Sequence, residues 1–248
     1  MSLNIIILAA GNGKRMQSNL PKVMHKVGGK TMLEHVLISA NKLKPKTINV
    51  VVNPKIEYIK ESFLDYKINW FNQKTQKGTA DAVKTVLPSL KKKEKVLILY
   101  ADTPLIEYQL LEKFINYMPK SNVKVLTVEL ENPFGYGRIV REQAEDEIIS
   151  KIIEETEADT KQKSIKECNT GIIFSDVSTL EELISEVKNN NTKKEFYLTD
   201  IVSIANNKNI PVAPLLAKEF TSMLGVNDKS QLEKTEQIYQ RNCRKKFL

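Results

Sequence analysis

The sequence predicts an α/β protein in which helices cover both faces of a mixed, mainly parallel sheet. Short apolar runs alternate with stretches of helical periodicity along the first 130 residues, which is the pattern of successive strand–helix–strand units. After about residue 131 several strand-like runs follow one another, which indicates an antiparallel or mixed part of the sheet. No Pro-, Gly- or Ser-rich linker divides the chain, so a single domain is expected over residues 1–248.

Five strands and four helices are predicted in the first half. Gly78 and Thr79 open the third of these helices. The strands are "NIIILAA" (4–10), "TINVVV" (47–52), "INWF" (68–71), "KVLILY" (95–100) and "VKVLTVEL" (123–130), and the helices are expected at 31–43, 57–65, 78–90 and 107–118. In the first helix one face collects Met32, Leu33, Val36, Leu37, Ala40 and Leu43.

The second half is predicted to begin with strands and to end in helices. The strand-like runs are "GYGRIVRE" (135–142), "EIISKIIEE" (147–155) and "NTGIIFS" (169–175). Helices are expected at 177–189, 198–207 and 229–246, with a strand "IPVAPLL" (210–216) between the last two.

Composition excludes several classes of protein. Of the 248 residues, 41% are hydrophobic and 27% charged, as in an ordinary globular protein. No apolar run approaches the roughly 20 residues of a membrane span, and the opening segment is too short for a secretory signal and lacks a cleavage site. Cys168 and Cys243, the only cysteines, lack the spacing of metal ligands. A reducing cytoplasm is therefore the expected location.

The formal net charge of +8 raises the question of an acidic partner. Nucleic-acid binding favours a basic face interleaved with aromatic residues. The densest basic runs, "KKKEK" at 91–95 and "RKK" at 244–246, contain no aromatic residue and are typical of solvated turns or ends. A basic pocket for an acidic small molecule is the better prediction, and no nucleic-acid or membrane partner is expected.

A glycine turn, "AAGNGKRM" (9–16), follows the first predicted strand. In open α/β sheets ligands bind beyond the carboxyl ends of strands, and backbone N–H groups of such a turn can approach an anion closely. The Arg15 guanidinium can bind a phosphate through two parallel hydrogen bonds, and the flexible Lys22 side chain adds a positive charge. The turn lacks the Ser or Thr of a Walker loop, and Met16 stands where the dinucleotide motif needs a third glycine or alanine. Taken alone, it is equally typical of a solvated surface turn.

Seven segments resemble the sugar-phosphate nucleotidyltransferases, in that family's order. Within the family the likeness is to the uridylyltransferase domain of the bacterial bifunctional enzyme that makes UDP-N-acetylglucosamine. The resemblance implies a Rossmann-like nucleotide-diphospho-sugar transferase fold, with a nucleotide-binding half at about 1–130, a sugar-binding half at about 131–228 and a C-terminal helix at about 229–248. The segments are "ILAAGNGKRMQSNLPKVMH" (7–25), "QKGTADA" (76–82), "LYADTPL" (99–105), "NPFGYGRIVRE" (132–142), "ECNTGI" (167–172), "EFYLTDI" (195–201) and "LGVND" (224–228).

The resemblance implies transfer of uridylyl from UTP to N-acetyl-α-D-glucosamine 1-phosphate, with release of pyrophosphate. The expected chemistry is a Mg²⁺-assisted in-line attack without a covalent intermediate, supplying peptidoglycan and lipopolysaccharide precursors in bacteria. Asp102 follows the strand "KVLILY", where a carboxylate oxygen suits Mg²⁺. From the residues alone Asp102 could equally cap a turn, and Asn227 could be a helix N-terminal residue. The resemblance makes them the two metal ligands.

The remaining site residues are also assigned by the resemblance. Gln73 is expected to recognise the base, because a side-chain amide can both donate and accept hydrogen bonds. The catalytic residues are Arg15, Lys22 and Asp102. The nucleotide-binding residues are Leu8, Ala9, Ala10, Gly11, Gly13, Arg15, Lys22, Gln73, Gly78 and Thr79, and the sugar-binding residues are Tyr100, Gly137, Glu154, Asn169, Tyr197 and Thr199.

Alternative functions remain open at this point. The chain could be a related nucleotidyltransferase with another base or sugar 1-phosphate, or a nucleotide-sugar sensor without turnover. Retention of both Asp102 and Asn227 argues against the sensor. The sequence contains no hexapeptide repeats of the β-helix that follows the uridylyltransferase domain in the bifunctional enzyme. Acetyl transfer and trimerisation are therefore not expected, and the chain is expected to be a monomer.

Overall fold

A mixed β-sheet forms the centre of the computed structural model. The structure describes residues 2–118, 121–141, 148–218 and 220–245, and within these ranges nine strands join one sheet. Two further strands, β2 and β3, form a separate hairpin. The strands are β1 (Leu3–Leu8), β2 (Lys26–Val27), β3 (Lys30–Thr31), β4 (Thr47–Val52), β5 (Asn69–Asn72), β6 (Lys95–Tyr100), β7 (Val123–Glu129), β8 (Arg138–Val140), β9 (Lys151–Ile153), β10 (Glu167–Asp176) and β11 (Val212–Ala217).

The helices follow the strands in an alternating order over the first half. The α-helices are α1 (Met32–Lys42), α2 (Thr79–Lys84), α3 (Tyr108–Asn116), α4 (Thr160–Lys163), α5 (Val177–Glu186), α6 (Ile201–Asn207) and α7 (Lys229–Lys245). Short 3₁₀ helices lie at Lys14–Met16, Lys22–Met24, Pro54–Phe63, Leu87–Ser89, Leu198–Asp200 and Phe220–Met223. No helix of the described chain has both the length and the apolar content needed to cross a membrane.

The sheet is mainly parallel with one long antiparallel strand inside it. Its order is β11-β7-β10-β6-β1-β4-β5, with β8 paired to β10 and β9 paired to β8. Strand β1 is parallel to both β4 and β6, whereas β10 runs antiparallel to β6 on one side and to β7 on the other. The mixed second half thus continues the sheet of the first half directly.

Alternate residues of β1 face two separate cores, one on each side of the sheet. Ile5 and Ile7 pack with α1, α3 and the 3₁₀ helix Pro54–Phe63. Ile6 and Leu8 pack with α2, α5 and α6. Because successive side chains of a strand point to opposite faces, a strand covered on both sides is apolar at the residues that meet the two cores. The prediction of helices on both faces is confirmed.

Several predicted helices differ in type or length. The helix expected at 57–65 is a 3₁₀ helix, Pro54–Phe63, interrupted at Ile56, where φ is −114° and ψ is 18°. The helix expected at 78–90 gives α2 only to Lys84 and then the 3₁₀ turn Leu87–Ser89. Pro88 explains this early end, because proline lacks the N–H that an α-helix interior requires and disfavours α geometry in the residue before it.

The second half also differs from the prediction in its boundaries. Strands β8 and β9 are three residues each, shorter than the runs 135–142 and 147–155. Residue 142 of the first run, residue 147 of the second, and residues 246–248 of the C-terminal helix expected at about 229–248 lie outside the described residues. The helix expected at 198–207 starts as 3₁₀ and becomes α only from Ile201. Single-sequence periodicity does not resolve such short turns.

Helix α7 folds back onto the beginning of the chain. Met16, Val27, Met32 and Val226 form a small third core, and Leu232 and Tyr239 of α7 pack against it. The Glu236 carboxylate accepts a hydrogen bond from Gly28 N at 2.7 Å. The end of the chain therefore supports the loop that follows β1.

Candidate active site

A cavity of about 320 Å³ opens at the carboxyl ends of β1 and β6. These strands are neighbours in the sheet, so the loops after them meet at one edge. The cavity brings together eight of the predicted nucleotide-binding residues, together with Tyr100 and Asp102. Its lining is Leu8, Ala9, Ala10, Gly11, Asn12, Lys22, Val23, Gln73, Gln76, Gly78, Thr79, Ala82, Tyr100, Asp102 and Glu195.

The glycine turn after β1 is held against the segment that carries Lys22. Gly13 has a left-handed backbone with φ +58°, and a Cβ there would lie 2.7 Å from the Cβ of Lys22. Only glycine combines this conformation with such a close approach at little cost. Met16 is fully buried and anchors the 3₁₀ turn that follows. Arg15, on the same turn, is exposed and forms no ion pair within the described chain.

Lys22 lies between the two predicted metal ligands. Its Nζ donates to the Asn227 Oδ1 at 2.8 Å and forms an ion pair with the Asp102 carboxylate. Two oxygens from residues far apart in the sequence therefore accept from one positive charge. Carboxylate and amide oxygens are also ligands that Mg²⁺ accepts, so the donor set fits this ion.

The backbone explains how Asp102 and Asn227 meet. Val226 N donates to the Asp102 carbonyl at 2.9 Å, which fixes the residue before Asn227 beside the end of β6. Asn227 N donates to the Gln231 side chain at 2.7 Å, and Gln231 N donates to the Asp228 carboxylate at 2.8 Å. These bonds use backbone donors that the start of a helix leaves unpaired. The start of α7 thus holds Asn227 in place.

The metal-binding capacity of this pair depends on further ligands. No cluster of three or more His, Cys, Asp or Glu side chains that could hold a metal ion occurs among the described residues. Mg²⁺ typically takes one or two protein oxygens, with substrate phosphates and water completing its coordination. One carboxylate and one amide are consistent with that pattern.

Gln73 lines the cavity with its amide orientation fixed by two hydrogen bonds. Its side chain is almost fully buried. The Nε2 group donates to the Asp81 carboxylate at 2.8 Å and to the Gly78 carbonyl at 3.0 Å. The sequence-based expectation that this amide both donates and accepts toward a ligand is therefore incomplete, because the protein itself takes both donors.

Gly78 is required by the contact with Phe196. Its φ is +117°, and a Cβ there would lie 2.4 Å from the Phe196 carbonyl oxygen. Phe196 N donates to the Lys77 carbonyl at 2.7 Å, and its own carbonyl accepts from Ala80 N at 3.0 Å. These bonds join the start of α2 to the segment before the 3₁₀ helix Leu198–Asp200.

The predicted sugar-binding residues other than Tyr100 form a second group. Thr199 donates from its hydroxyl to the Glu154 carboxylate at 2.8 Å. Asn169 N donates to the Gly137 carbonyl at 2.8 Å, and the Asn169 side-chain oxygen accepts from Gly171 N at 2.9 Å. The Tyr197 hydroxyl is buried, and no described group lies in hydrogen-bonding geometry with it. A polar ligand is the natural partner for such a hydroxyl.

Tyr100 connects the two groups. Burial raises the pKa of its hydroxyl well above the ordinary value, and the nearby Glu154 and Asp102 carboxylates raise it further. Burial likewise raises the pKa of Glu154, although the hydrogen bond from Thr199 opposes this effect. Tyr100 is thus a neutral hydroxyl at all ordinary pH values and lies close to both carboxylates.

A smaller cavity of about 280 Å³ adjoins Glu154 and Tyr197. Asp200 and Glu157 also line it, and burial together with the Glu154 and Glu157 charges raises the pKa of Asp200 to about 6. Of the predicted site residues, Gly13, Arg15, Gly137, Asn169, Thr199 and Asn227 line neither this cavity nor the larger one.

Sequence reasoning missed several residues that line the larger cavity or support it. Asn12 lies between the two glycines of the turn, and Gln76 and Glu195 lie in segments that carried the family resemblance. Their position in those segments was the available signal. The Asp81 carboxylate accepts from the Gln73 side chain, and the Gln231 side chain accepts from Asn227 N. Such side-chain hydrogen bonds leave no trace in a single sequence.

Comparison with known proteins gives both a family and a fold. Residues 5–165 match the family model described as MobA-like NTP transferase domain. The chain is 40% identical over 239 residues to the "Bifunctional protein GlmU" of Buchnera aphidicola subsp. Schizaphis graminum, covering 96% of the chain and 51% of that relative. It is 39% identical over 240 residues to the "Bifunctional protein GlmU" of Idiomarina loihiensis, covering 97% and 52%. The chain thus spans about half the length of these relatives.

Solved structures share the fold. A structure assigned as a glucose-1-phosphate thymidylyltransferase from Bacillus anthracis, in complex with a sucrose, superposes with a TM-score of 0.74 at 18% identity and covers 96% of this chain and 95% of its own. A UDP-glucose pyrophosphorylase complexed with UDP-glucose gives a TM-score of 0.74 at 16% identity, covering 98% and 100%. The expected nucleotide-diphospho-sugar transferase fold is confirmed.

Proposed function

The chain belongs to the MobA-like NTP transferase domain family, and from this premise we propose that it joins UTP to N-acetyl-α-D-glucosamine 1-phosphate. The products are UDP-N-acetylglucosamine and pyrophosphate. The observation that carries the proposal is the convergence of Lys22, Asp102 and Asn227 beside the cavity that also contains Gln73. The choice of substrates rests on the seven sequence segments and on the 40% and 39% identity to the GlmU relatives.

The nucleophile needs no catalytic base. A phosphate monoester has a second pKa of about 6, so it is largely a dianion at neutral pH. No His, Ser or Cys of the described chain lines the larger cavity. Direct in-line attack on the α-phosphorus of UTP, without a covalent intermediate, is consistent with this lining.

The main difficulty of the reaction is repulsion between two polyanions. Lys22 brings an ammonium group to the edge of the cavity, and Arg15 is free to bind phosphate oxygens from the exposed glycine turn. Asp102 and Asn227 are the residues that would hold Mg²⁺, which supplies further positive charge between the phosphates when bound. Cations held in place before the reaction stabilise charge that develops on the departing pyrophosphate.

The two groups of polar residues support a separate place for each substrate. We assign the base of UTP to Gln73 and Gly78, and the sugar ring to the group around Glu154 and Asn169. A carboxylate, an amide and hydroxyls suit ring hydroxyls and an acetamido group. Tyr100, which lies near both Asp102 and Glu154, separates the nucleotide from the sugar in this arrangement.

Pyrophosphate release tests the proposal directly. The complete chain is incubated with UTP, N-acetylglucosamine 1-phosphate and Mg²⁺, and the assay is repeated with CTP, glucosamine 1-phosphate and glucose 1-phosphate. We expect turnover to be highest with the first pair and to disappear when the metal is chelated. Faster turnover with another nucleotide or sugar phosphate would show that the assigned substrates are wrong and would identify the preferred pair. Nucleotide binding without any pyrophosphate release would indicate a sensor.

A further inference from the structure

Gln73 presents a single kind of hydrogen-bonding atom to the cavity. Both of its amide hydrogens are directed at acceptors, the Asp81 carboxylate and the Gly78 carbonyl. No group of the described chain donates to its Oε1. Since an ionised carboxylate and a backbone carbonyl cannot donate, the reversed orientation of the amide would place oxygen against oxygen on both sides. The side chain therefore offers an acceptor to a ligand and no donor.

We propose that Asp81 is a positioning residue that determines the pyrimidine specificity of the site by fixing the orientation of the Gln73 amide. This inference rests on the proposed function. The ring edge of uracil carries a donor at N3, whereas cytosine has an acceptor at N3. An acceptor held opposite N3 attracts uracil and repels cytosine. An amide that is free to rotate would accept either base.

The Asp81 side chain has few structural roles other than its contact with Gln73. The one hydrogen bond of this side chain within the described residues comes from Gln73. Asp81 is the third residue of α2, where a negative charge also interacts favourably with the helix dipole. Stabilisation of the helix is thus the competing explanation for a carboxylate at this position.

The chain contains a second acidic residue at the equivalent helical position, which can serve as a control for the helix-dipole explanation. Glu34 is the third residue of α1, as Asp81 is of α2. It pairs with Lys30 at 3.2 Å and does not line the cavity. Replacing Glu34 with Gln removes the same charge from the same helical position without touching Gln73.

The test is the ratio of the UTP and CTP dissociation constants, measured by calorimetric titration of the complete chain without the sugar phosphate. In Asp81→Asn the new amide group can donate to Gln73 Oε1, which removes one of the two oxygen–oxygen contacts that exclude the reversed orientation. We expect the preference for UTP to fall by about tenfold, the scale of one mismatched hydrogen bond, mainly because CTP binds more tightly. Asp81→Ser should also relax the preference, and Glu34→Gln should leave it at the wild-type value.

A double-mutant cycle separates positioning from direct contact. If Asp81 acts through Gln73, Asp81→Asn should change nothing further in a Gln73→Ala background. An equal change of the ratio in both backgrounds would overturn the inference, as would an unchanged ratio in both Asp81 variants or a change in Glu34→Gln. A wild type that binds UTP with no preference over CTP would refute this inference alone. A wild type that binds neither nucleotide would overturn the proposed function as well.

Discussion

Lys22 is held by two side chains that lie 80 and 205 positions away in the sequence. Its ammonium group joins the end of β6 to the start of α7. The same oxygens are the ones that we assign to Mg²⁺. The Lys22 ammonium therefore shows that these two oxygens can together stabilise a cation.

Removing the Asp102 charge, or the Arg15 charge on the glycine turn, should impair turnover. Asp102→Asn and Arg15→Ala are each expected to lower kcat by at least ~100-fold, the effect of losing one preorganised electrostatic group. Steady-state kinetics at saturating Mg²⁺ measures this loss. Lys55→Ala, an exposed cation outside the cavity, serves as the control. Near-normal rates in either variant would refute the role of that residue.

Asp200 should make the stability of the folded protein depend on pH. Its pKa is raised from 3.8 to about 6, first by burial and then by the Glu154 and Glu157 charges. Between these values the folded protein keeps a proton that the unfolded chain has lost. The free energy of unfolding therefore falls as pH rises from about 4 to about 6 and stays low above that range.

We expect Asp200→Asn to be more stable than the wild type above pH 6 and to lose part of this pH dependence. Because Asp200 is partly solvated, the gain should be only about 1 kcal/mol, or about 2–4 °C in Tm. Thermal unfolding between pH 4 and pH 8 measures it. The exposed Asp65→Asn should show no such gain. A variant that is less stable than the wild type at pH 7.5 would contradict the assignment.

At the scale of elements, α7 connects the two ends of the chain. Asn227 lies just before it, and its later turns reach the β2–β3 hairpin through Glu236 and Gly28. Tyr239 packs edge-on against His35, with 5.4 Å between ring centroids. Orientation of this helix therefore sets the position of Asn227.

Tyr239→Ala should loosen this element. We expect a loss of about 2 kcal/mol in the free energy of unfolding from the lost aromatic packing. The concentration of Mg²⁺ needed for half-maximal turnover should rise as well, because Asn227 is less well held. Tyr58→Ala, at a residue with 58% exposure, is the matched control. A destabilised variant with an unchanged Mg²⁺ requirement would show that α7 supports the fold without positioning the metal ligand.

Elements with strong periodicity were predictable from sequence, and short ones were not. Strand β6 begins and ends where the apolar run "KVLILY" does, and α1 buries five of the six residues of its predicted face. The β2–β3 hairpin has two residues per strand, too few for a period to appear. In the site, the glycine turn and Asp102 could be located from the ends of predicted strands.

Asn227 could not be located by that kind of reasoning. It meets Asp102 because Val226 binds the Asp102 backbone across 124 positions of sequence, and only the family resemblance pointed to the pair. The role of Asp81 was likewise hidden, since it depends on which atoms of Gln73 already have partners.

At the scale of the whole molecule, excess positive charge should speed the arrival of UTP. The chain carries 38 basic and 30 acidic residues. The electric field of this excess positive charge attracts polyanions over long distances, and added salt screens that attraction. We expect kcat/KM for UTP to fall several-fold as KCl is raised at constant Mg²⁺, with kcat little changed. Sucrose at equal osmolality is the control. Insensitivity of kcat/KM to salt would show that long-range attraction plays no part.

The placement of β10 has a consequence for dissecting the protein. This strand lies between β6 and β7, and among the described strands it alone joins those that follow residue 122 to those that precede residue 101. A fragment ending after β7 would carry two unpaired sheet edges and an uncovered apolar surface. The region to which we assign the nucleotide therefore cannot be excised as an autonomous module. If the sugar binds where we propose, changing the sugar preference requires exchanging the loops around β10 while keeping that strand in place.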